Sequence, residues 1–316
     1  MAAVLLATFP FFALVLAGFV ATHRRWLPLA AIPGLNAFVL YFALPCMLYR
    51  FGATTPITDY LNGAVVGVWV FCAAVLIAFT VAVTLGGRIG WNDAAFGALV
   101  ASFSNTGYLG VPLLVALLGP RAAAPAIVTI LVDLVFTSST CIALSRLGTR
   151  EGGAPSAVAR VLRGVAGNPL PWAILLGVAT YALGVAVPRP VEQTVGLLAD
   201  AASPAALFTI GAVLARSRLE SAPRTTVTND VAVALMKLLL HPLLVYVMGR
   251  SAIGLGVPLD RFALQVMVLC AALPSASNVA MLAERFGADN GRVARIILVS
   301  TALAFLTFSG IVTLLR

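Results

Sequence analysis

The chain has few charged residues. Aspartate, glutamate, lysine and arginine make up 10% of its 316 residues, whereas hydrophobic residues make up 61%. Soluble proteins have about 25% charged and about 45–50% apolar residues, and a soluble globule of this size could not bury so much apolar surface. The composition therefore predicts a polytopic, all-α membrane protein whose main solvent is the lipid bilayer.

Several motifs of enzymes and cofactor proteins are also missing from the sequence. The four cysteines lie inside apolar stretches without a Cys-x-x-Cys pair or a Cys/His cluster, so neither a metal site nor a disulfide framework is expected. There is no Gly-x₄-Gly-Lys-Ser/Thr loop, so we do not expect ATP to drive the protein directly. With two histidines, the chain gives little support to an intramembrane enzyme. We expect a protein that is not an enzyme and needs no cofactor.

The basic residues give information about topology. The net charge is +9, but these residues lie in short gaps between apolar runs, which is typical of topology signals and does not favour a nucleic-acid partner. Residues 1–22 are uncharged and precede His23, Arg24 and Arg25, the reverse of the order in a signal peptide. This order predicts a first membrane-spanning helix whose N-terminus lies outside.

Apolar runs of about 20 residues predict ten membrane-spanning helices. With the N-terminus outside, 13 arginines fall on the inner side and 6 on the outer side, as the positive-inside rule expects. Both termini should then be periplasmic. Abundant alanine and arginine are typical of a bacterium, which indicates the inner membrane. The predicted spans are residues 3–22, 33–52, 61–85, 93–118, 122–145, 168–188, 191–215, 227–249, 261–285 and 293–315.

The longest loop, residues 147–167, separates five predicted spans from five. Because five is odd, the halves 1–146 and 168–316 have opposite orientations, the geometry of the inverted repeats of secondary transporters. Matches between the second and seventh spans at an offset of 159 residues support the repeat. They pair Pro45, Leu48, Tyr49, Gly52 and Ala53 with Pro204, Leu207, Phe208, Gly211 and Ala212.

The fourth and ninth spans contain residues that weaken a helix at mid-membrane depth. Proline, glycine and asparagine occur there in both halves, and such breaks are tolerated where the backbone lines a cavity or packs against protein. Breaks at corresponding positions of two halves point to a transporter binding site, although two harmless proline kinks are the alternative. The residues of the breaks are Asn105, Thr106 and Gly107 in the fourth span and Pro274, Ser275, Ser277 and Asn278 in the ninth.

Three segments resemble the auxin efflux carrier family, which includes plant auxin exporters and bacterial permeases such as malonate transporters. They are Ser-Asn-Thr-Gly-Tyr-Leu-Gly-Val-Pro-Leu-Leu at 104–114, Lys-Leu-Leu-Leu-His-Pro at 237–242, and Pro-Ser-Ala-Ser-Asn at 274–278 with Ala-Glu-Arg-Phe at 283–286. The resemblance covers essentially the whole chain. It departs from the plant exporters at Ser104, where they have proline.

The resemblance implies a ten-helix inverted repeat like that of bile acid transporters and sodium/proton antiporters, with helices four and nine unwound and crossing. It places Asn105 and Pro274 at the crossover, where the substrate carboxylate is held. Related folds often form homodimers.

Charge considerations also favour an anionic substrate. A helix N-terminus at mid-membrane depth presents free N–H groups and a partial positive charge, to which a small organic carboxylate can bind. We expect a secondary transporter, with a channel or sensor as the alternative. The predicted substrate-binding residues are Asn105, Thr106, Gly107, Pro274, Ser275, Ser277, Asn278 and Pro45.

Lys237 is the only lysine and lies near the middle of the eighth span, where a cation costs at least about 2.5–3.5 kcal/mol. One role is a structural ion pair with Asp133 or Asp200. The other is a charge that replaces a coupling cation or carries a proton through the cycle. His241 lies one turn further along the same face. Coupling to protons or sodium stays open.

The topology can be tested directly. Cysteine labelling and C-terminal reporter fusions should place both termini outside, because the arginines would then lie mostly inside. A cytoplasmic C-terminus would contradict the ten-span topology and, with it, the inverted repeat.

Overall fold

The computed structural model describes residues 2–54, 63–86, 89–147, 169–220 and 227–315. Within these residues the regular secondary structure is helical, apart from two isolated bridges, Gly86–Ile89 and Ser104–Ser275. The predicted all-helical fold is therefore confirmed. The loop predicted to connect the two halves, 147–167, lies outside the described residues except for its first residue.

The described part of the first half forms six helical segments. Three of them include a five-residue π-helical turn, at Val39–Ala43, Thr106–Gly110 and Asp133–Thr137. The segments are α1 (Ala2–His23), α2 (Leu29–Thr54), α3 (Gly63–Thr84), α4 (Trp91–Ser102), α5 (Thr106–Leu118) and α6 (Pro120–Ser145).

The described part of the second half also forms six segments. One of them has a π-helical turn, at Met236–Leu240. The segments are α7 (Pro169–Ala182), α8 (Arg189–Glu220), α9 (227–254), α10 (Arg261–Ala272), α11 (Asn278–Arg285) and α12 (Asn290–Leu314).

Six helices in the described residues are long and apolar enough to cross a membrane: α2, α3, α6, α8, α9 and α12. Shorter apolar helices lie in α1, α5, α7 and α10. Large apolar side chains on the surface, such as Phe71, Val75 and Phe79 along one face of α3, are exposed and suit contact with lipid. The chain is therefore a multi-pass membrane protein, and the number of ten spans stays a prediction.

The fourth and ninth predicted spans are both interrupted. The first break separates α4 from α5 at residues 103–105, and the second separates α10 from α11 at 273–277. Pro274 lies in the second break and has no N–H for a helical hydrogen bond. Each half-span is 8 to 13 residues long, too short to cross a bilayer alone.

The helices form two groups. In the small group, α1 packs along α8, and α2 packs along α7 and α8. The large group consists of α3–α6 and α9–α12, and it contains both breaks. α5 and α12 contact α1 and α8 and thereby join the groups.

Charged side chains hold together the starts of three helices of the large group. Asp230 of α9 accepts a hydrogen bond from Arg295 at 2.8 Å and lies 3.4 Å from Arg292 Nε. Asp93 of α4 accepts from the Asp289 N–H at 2.8 Å, and its backbone carbonyl accepts from Arg292 at 2.8 Å. Because Asp230 and Arg292 are buried, these contacts fix one end of α4, α9 and α12.

Glycines allow the helices of the small group to approach closely. Gly18 and Gly211 lie at the crossing of α1 and α8, and a Cβ added at either would collide with the backbone of the other helix. Gly52 and Gly177 have the same relation at the crossing of α2 and α7. Small residues at such crossings are a main source of packing energy between membrane helices.

This packing predicts the effect of a single methyl group. Gly211→Ala places Cβ against the carbonyl oxygen of Val15, so α1 and α8 must separate, and stability should fall by about 1–3 kcal/mol. The measurement is thermal unfolding of the purified protein in detergent.

The matched control is Gly196→Ala on the same helix, where an added Cβ has open space and alanine is the better helix former. The control should be neutral or slightly stabilising. Equal stability of the two variants would contradict the importance of the α1–α8 crossing.

Candidate functional site

The two helix breaks lie side by side and hydrogen bond to each other. The Asn105 N–H donates to the Pro274 carbonyl oxygen at 2.9 Å, and the Ala276 N–H donates to the Phe103 carbonyl oxygen at 3.0 Å. These backbone groups have lost their helical partners inside the hydrocarbon region, where no water can replace them. Each break therefore satisfies the other.

The serine at the centre of each break binds the last helix of its own half. Ser104 and Ser275 are opposite each other in the bridge, and both are buried. The Ser104 N–H donates to Asp133 Oδ2 of α6 at 3.4 Å, and the Ser275 N–H donates to Ser300 Oγ of α12 at 3.2 Å. Both bonds anchor the crossover to the large group.

Lys237 is fully buried beside the crossover. Its ammonium donates to Ser104 Oγ at 2.7 Å and to the Ala271 carbonyl oxygen at 2.7 Å, and it lies 3.0 Å from His241 Nδ1. An ammonium group has three protons and no acceptor, so His241 Nδ1 is the acceptor in this contact. All three protons of Lys237 thus have partners.

Asp133 is also fully buried, and it binds three donors. Its Oδ1 accepts from Trp69 Nε1 at 2.9 Å and from Thr137 Oγ1 at 3.0 Å, and its Oδ2 accepts from the Ser104 N–H. In the described part of the chain Lys237 forms no ion pair. The two opposite charges instead meet through Ser104, which binds both.

Ring contacts close this arrangement. The His241 ring lies 5.2 Å from the Trp69 ring, measured between centroids. Trp69, Ser104, Asp133, Lys237 and His241 therefore form a closed circuit of contacts, which we call the charged cluster. His241 Nε2 is buried and has no hydrogen-bond partner.

Several predicted substrate-binding residues come together at the crossover. Asn105 Oδ1, Ser275 Oγ and Asn278 Oδ1 are buried without hydrogen-bond partners, although buried polar atoms are normally paired. Gly107 is half-buried, and the space beside its Cα is open. Thr106 and Pro274 are buried at the breaks, and Ser277 is half-buried.

Helix ends determine the electrostatics of this region. Lys237 binds Ala271, at the C-terminal end of α10, where the unpaired carbonyl groups carry partial negative charge. α5 and α11 begin at the same crossover, and their N-termini carry partial positive charge. The crossover thus offers N–H groups and polar side chains to an anion, with a cation close by.

Two predicted site residues lie elsewhere. Asp200 pairs with Arg50 at 2.7 Å, and their side chains are 70% and 41% exposed, so the structure does not bring Asp200 to Lys237. Pro45 is half-buried on α2, in the small group. Among the described residues, no three His, Cys, Asp or Glu side chains are arranged to hold a metal ion.

The sequence does not single out two residues of the charged cluster. Trp69 lies in a continuous apolar run, where a tryptophan normally indicates packing or a membrane interface. Ser104 stands out only as a departure from the proline of the plant exporters. The position of Ser104 directly before Asn105 is the signal that the sequence offers, since that residue has to lie inside the break.

Comparison with known proteins identifies relatives along the whole chain. The profile of the family described as "Membrane transport protein" matches residues 3–152 and 155–312. A protein of Rhizobium meliloti named as a candidate malonate transporter is 29% identical over 97% of this chain and 94% of its own length. An uncharacterized transporter of Escherichia coli, YfdV, is 29% identical over 61% of this chain and 59% of its own length.

The family match covers nearly the whole chain. The chain therefore belongs to the membrane transport protein family, and the resemblance to the auxin efflux carriers is confirmed.

Proposed function

We propose that this member of the membrane transport protein family is a secondary carrier that moves small organic carboxylates by alternating access. The observation that carries the proposal is the pairing of two helix breaks around buried polar atoms without partners. Secondary transporters bind substrate at such discontinuous helices. The name of the Rhizobium relative refers to malonate, a small dicarboxylate, which makes malonate the first substrate to test.

The chemistry of the crossover favours a carboxylate over a cation or a sugar. A carboxylate accepts hydrogen bonds only, and the N-termini of α5 and α11 supply N–H donors. The Asn105 and Asn278 amides and the Ser275 hydroxyl supply further donors. Open space beside Gly107 lets a ligand approach the backbone of α5.

The charged cluster gives the carrier a fixed cation next to the substrate site. A carrier of anions needs positive charge in the binding region, and many transporters bind sodium or a proton for this purpose. In our proposal the Lys237 ammonium supplies that charge, and Asp133 keeps it balanced when the site is empty. Lysine gives up its proton readily when it is buried, so Lys237 is also the candidate for proton coupling.

We further propose that the ten spans form an inverted repeat with halves 1–146 and 168–316. The glycine crossings support it, because Gly18 and Gly177, like Gly52 and Gly211, are 159 residues apart. The α1–α8 and α2–α7 crossings therefore exchange under one offset. The bonds from Ser104 to α6 and from Ser275 to α12 form a second equivalent pair.

The two helix groups suggest which parts move. Alternating access often occurs when one bundle moves against another around a fixed site. Here the large group contains the complete crossover and the charged cluster, and α5 contacts α8 of the small group. We propose that the large group carries the substrate past the small group, within a cell inner membrane and with both termini periplasmic.

Counterflow in proteoliposomes tests the function. Labelled malonate should exchange against unlabelled mono- and dicarboxylates, and the exchange should saturate. Asn105→Ala should reduce exchange at low substrate concentration at least about tenfold, because it removes a hydrogen bond to a charged ligand.

The matched control is Asn229→Ala, because Asn229 is exposed at the start of α9. This variant should exchange like the wild type. Flux that never saturates would indicate a channel instead of a carrier, and unchanged exchange by Asn105→Ala would remove the crossover as the substrate site.

Substitution of Lys237 tests its role in coupling. Lys237→Met keeps the aliphatic stem and removes the charge, and Asp133→Asn in the same protein avoids leaving a lone buried carboxylate. We expect the double variant to fold but to be inactive or to require sodium, because the fixed cation is gone. Folding is checked by the elution profile in detergent, and transport is measured with and without sodium and pH gradients.

Leu243→Met, at an exposed position of α9, controls for the introduced methionine. Full activity of Lys237→Met, with no sodium requirement and the pH dependence of the wild type, would show that Lys237 only stabilises the fold.

A further inference from the structure

A basic cavity lies at the end of the large group that is distant in sequence from the crossover residues. It has a volume of about 390 Å³ and is formed where α9 ends, α10 begins and α12 ends. Small-molecule sites typically measure about 300–1,000 Å³. Arg250 and Arg261 line the cavity with Tyr246 and Gln265, and the other lining residues are apolar: Phe262, Leu264, Val268, Leu314 and Leu315.

The positive charge of this cavity is not balanced by its own lining, which includes no aspartate or glutamate. The adjacent carboxylate, Asp260, accepts a hydrogen bond from the Ala263 N–H and caps α10. A second cavity, of about 250 Å³ between α2, α7 and α8, differs in this respect. It is lined by Arg50 and Glu192, and Arg50 is paired with Asp200.

An exposed apolar stripe leads along α9 to the basic cavity. Leu239, Leu243 and Tyr246 are 50%, 58% and 43% exposed. Their spacing of four and three residues, with Arg250 four residues further, places them on one helix face. In a membrane this face contacts lipid tails, and it ends at two arginines. The stripe and the cavity together match an amphiphile with an anionic headgroup.

The position of the cavity agrees with a lipid headgroup. Tyrosine and arginine are enriched where membrane helices meet the interface, and basic pockets between such helices bind acidic headgroups. We propose that the basic cavity binds the phosphate headgroup of an acidic phospholipid, with an acyl chain along the α9 stripe. The proposal does not depend on which substrate the protein carries.

The bound lipid would brace two helices that hold the charged cluster. α9 carries Lys237, and α10 carries its acceptor Ala271. These helices already pack tightly near the cavity, since a side chain at Gly249 would collide with Leu264. A headgroup bound by Arg250 of α9 and Arg261 of α10 adds a link between the same two helices.

Lipid binding to the full-length protein in detergent tests the proposal. Native mass spectrometry should show tighter binding of phosphatidylglycerol than of phosphatidylcholine with the same acyl chains. Arg250→Gln and Arg261→Gln should each weaken phosphatidylglycerol binding about fivefold, the effect of one arginine near an anionic surface. Arg250→Lys should retain most of the binding.

Arg189→Gln is the matched control, because Arg189 is exposed at the start of α8 in the small group. It should leave binding unchanged. Three results would overturn the proposal: equal binding of the two lipids, losses at Arg250 and Arg261 no larger than at Arg189, or displacement of phosphatidylglycerol by equimolar inorganic phosphate. The last result would identify a site for soluble anions.

Discussion

Backbone polar groups inside a membrane must find partners within the protein, and the site depends on how this chain meets that requirement. Breaks in two helices leave N–H and C=O groups unpaired, at several kcal/mol each if they stayed so, on the order expected for transfer into hydrocarbon. The bonds from Asn105 to Pro274 and from Ala276 to Phe103 remove this cost. Neither break would be stable without the other, so α4, α5, α10 and α11 must be neighbours.

The same requirement explains why charged groups occur beside the crossover. Ending α10 at Ala272 leaves carbonyl groups without helical partners, and Lys237 binds one of them, at Ala271. The first break leaves the Ser104 N–H free, and it donates to Asp133. Each charge lies next to backbone groups of complementary polarity. The cost of burying a cation and an anion is thus offset by the backbone that the breaks expose.

Much of this arrangement could be predicted from sequence, because proline, glycine and asparagine at mid-membrane depth weaken a helix where water cannot repair it. The two breaks and the burial of Lys237, Asp133 and His241 belong to this part. The partners of Lys237 could not be predicted, because acceptors such as the Ala271 carbonyl exist at every residue. Asp200 is a candidate by its depth in a span, but depth does not show which helix group a side chain faces.

Ser104 shows that the crossover and the charged cluster are separable. The crossover bonds use the Asn105 N–H and the Phe103 carbonyl, so a proline at 104, as in the plant exporters, would leave both intact. Proline has neither an N–H for Asp133 nor a hydroxyl for Lys237. Residue 104 can therefore change how Lys237 and Asp133 are held without altering the backbone that the substrate approaches. A change of coupling ion within this fold requires only the side chains of the cluster to change.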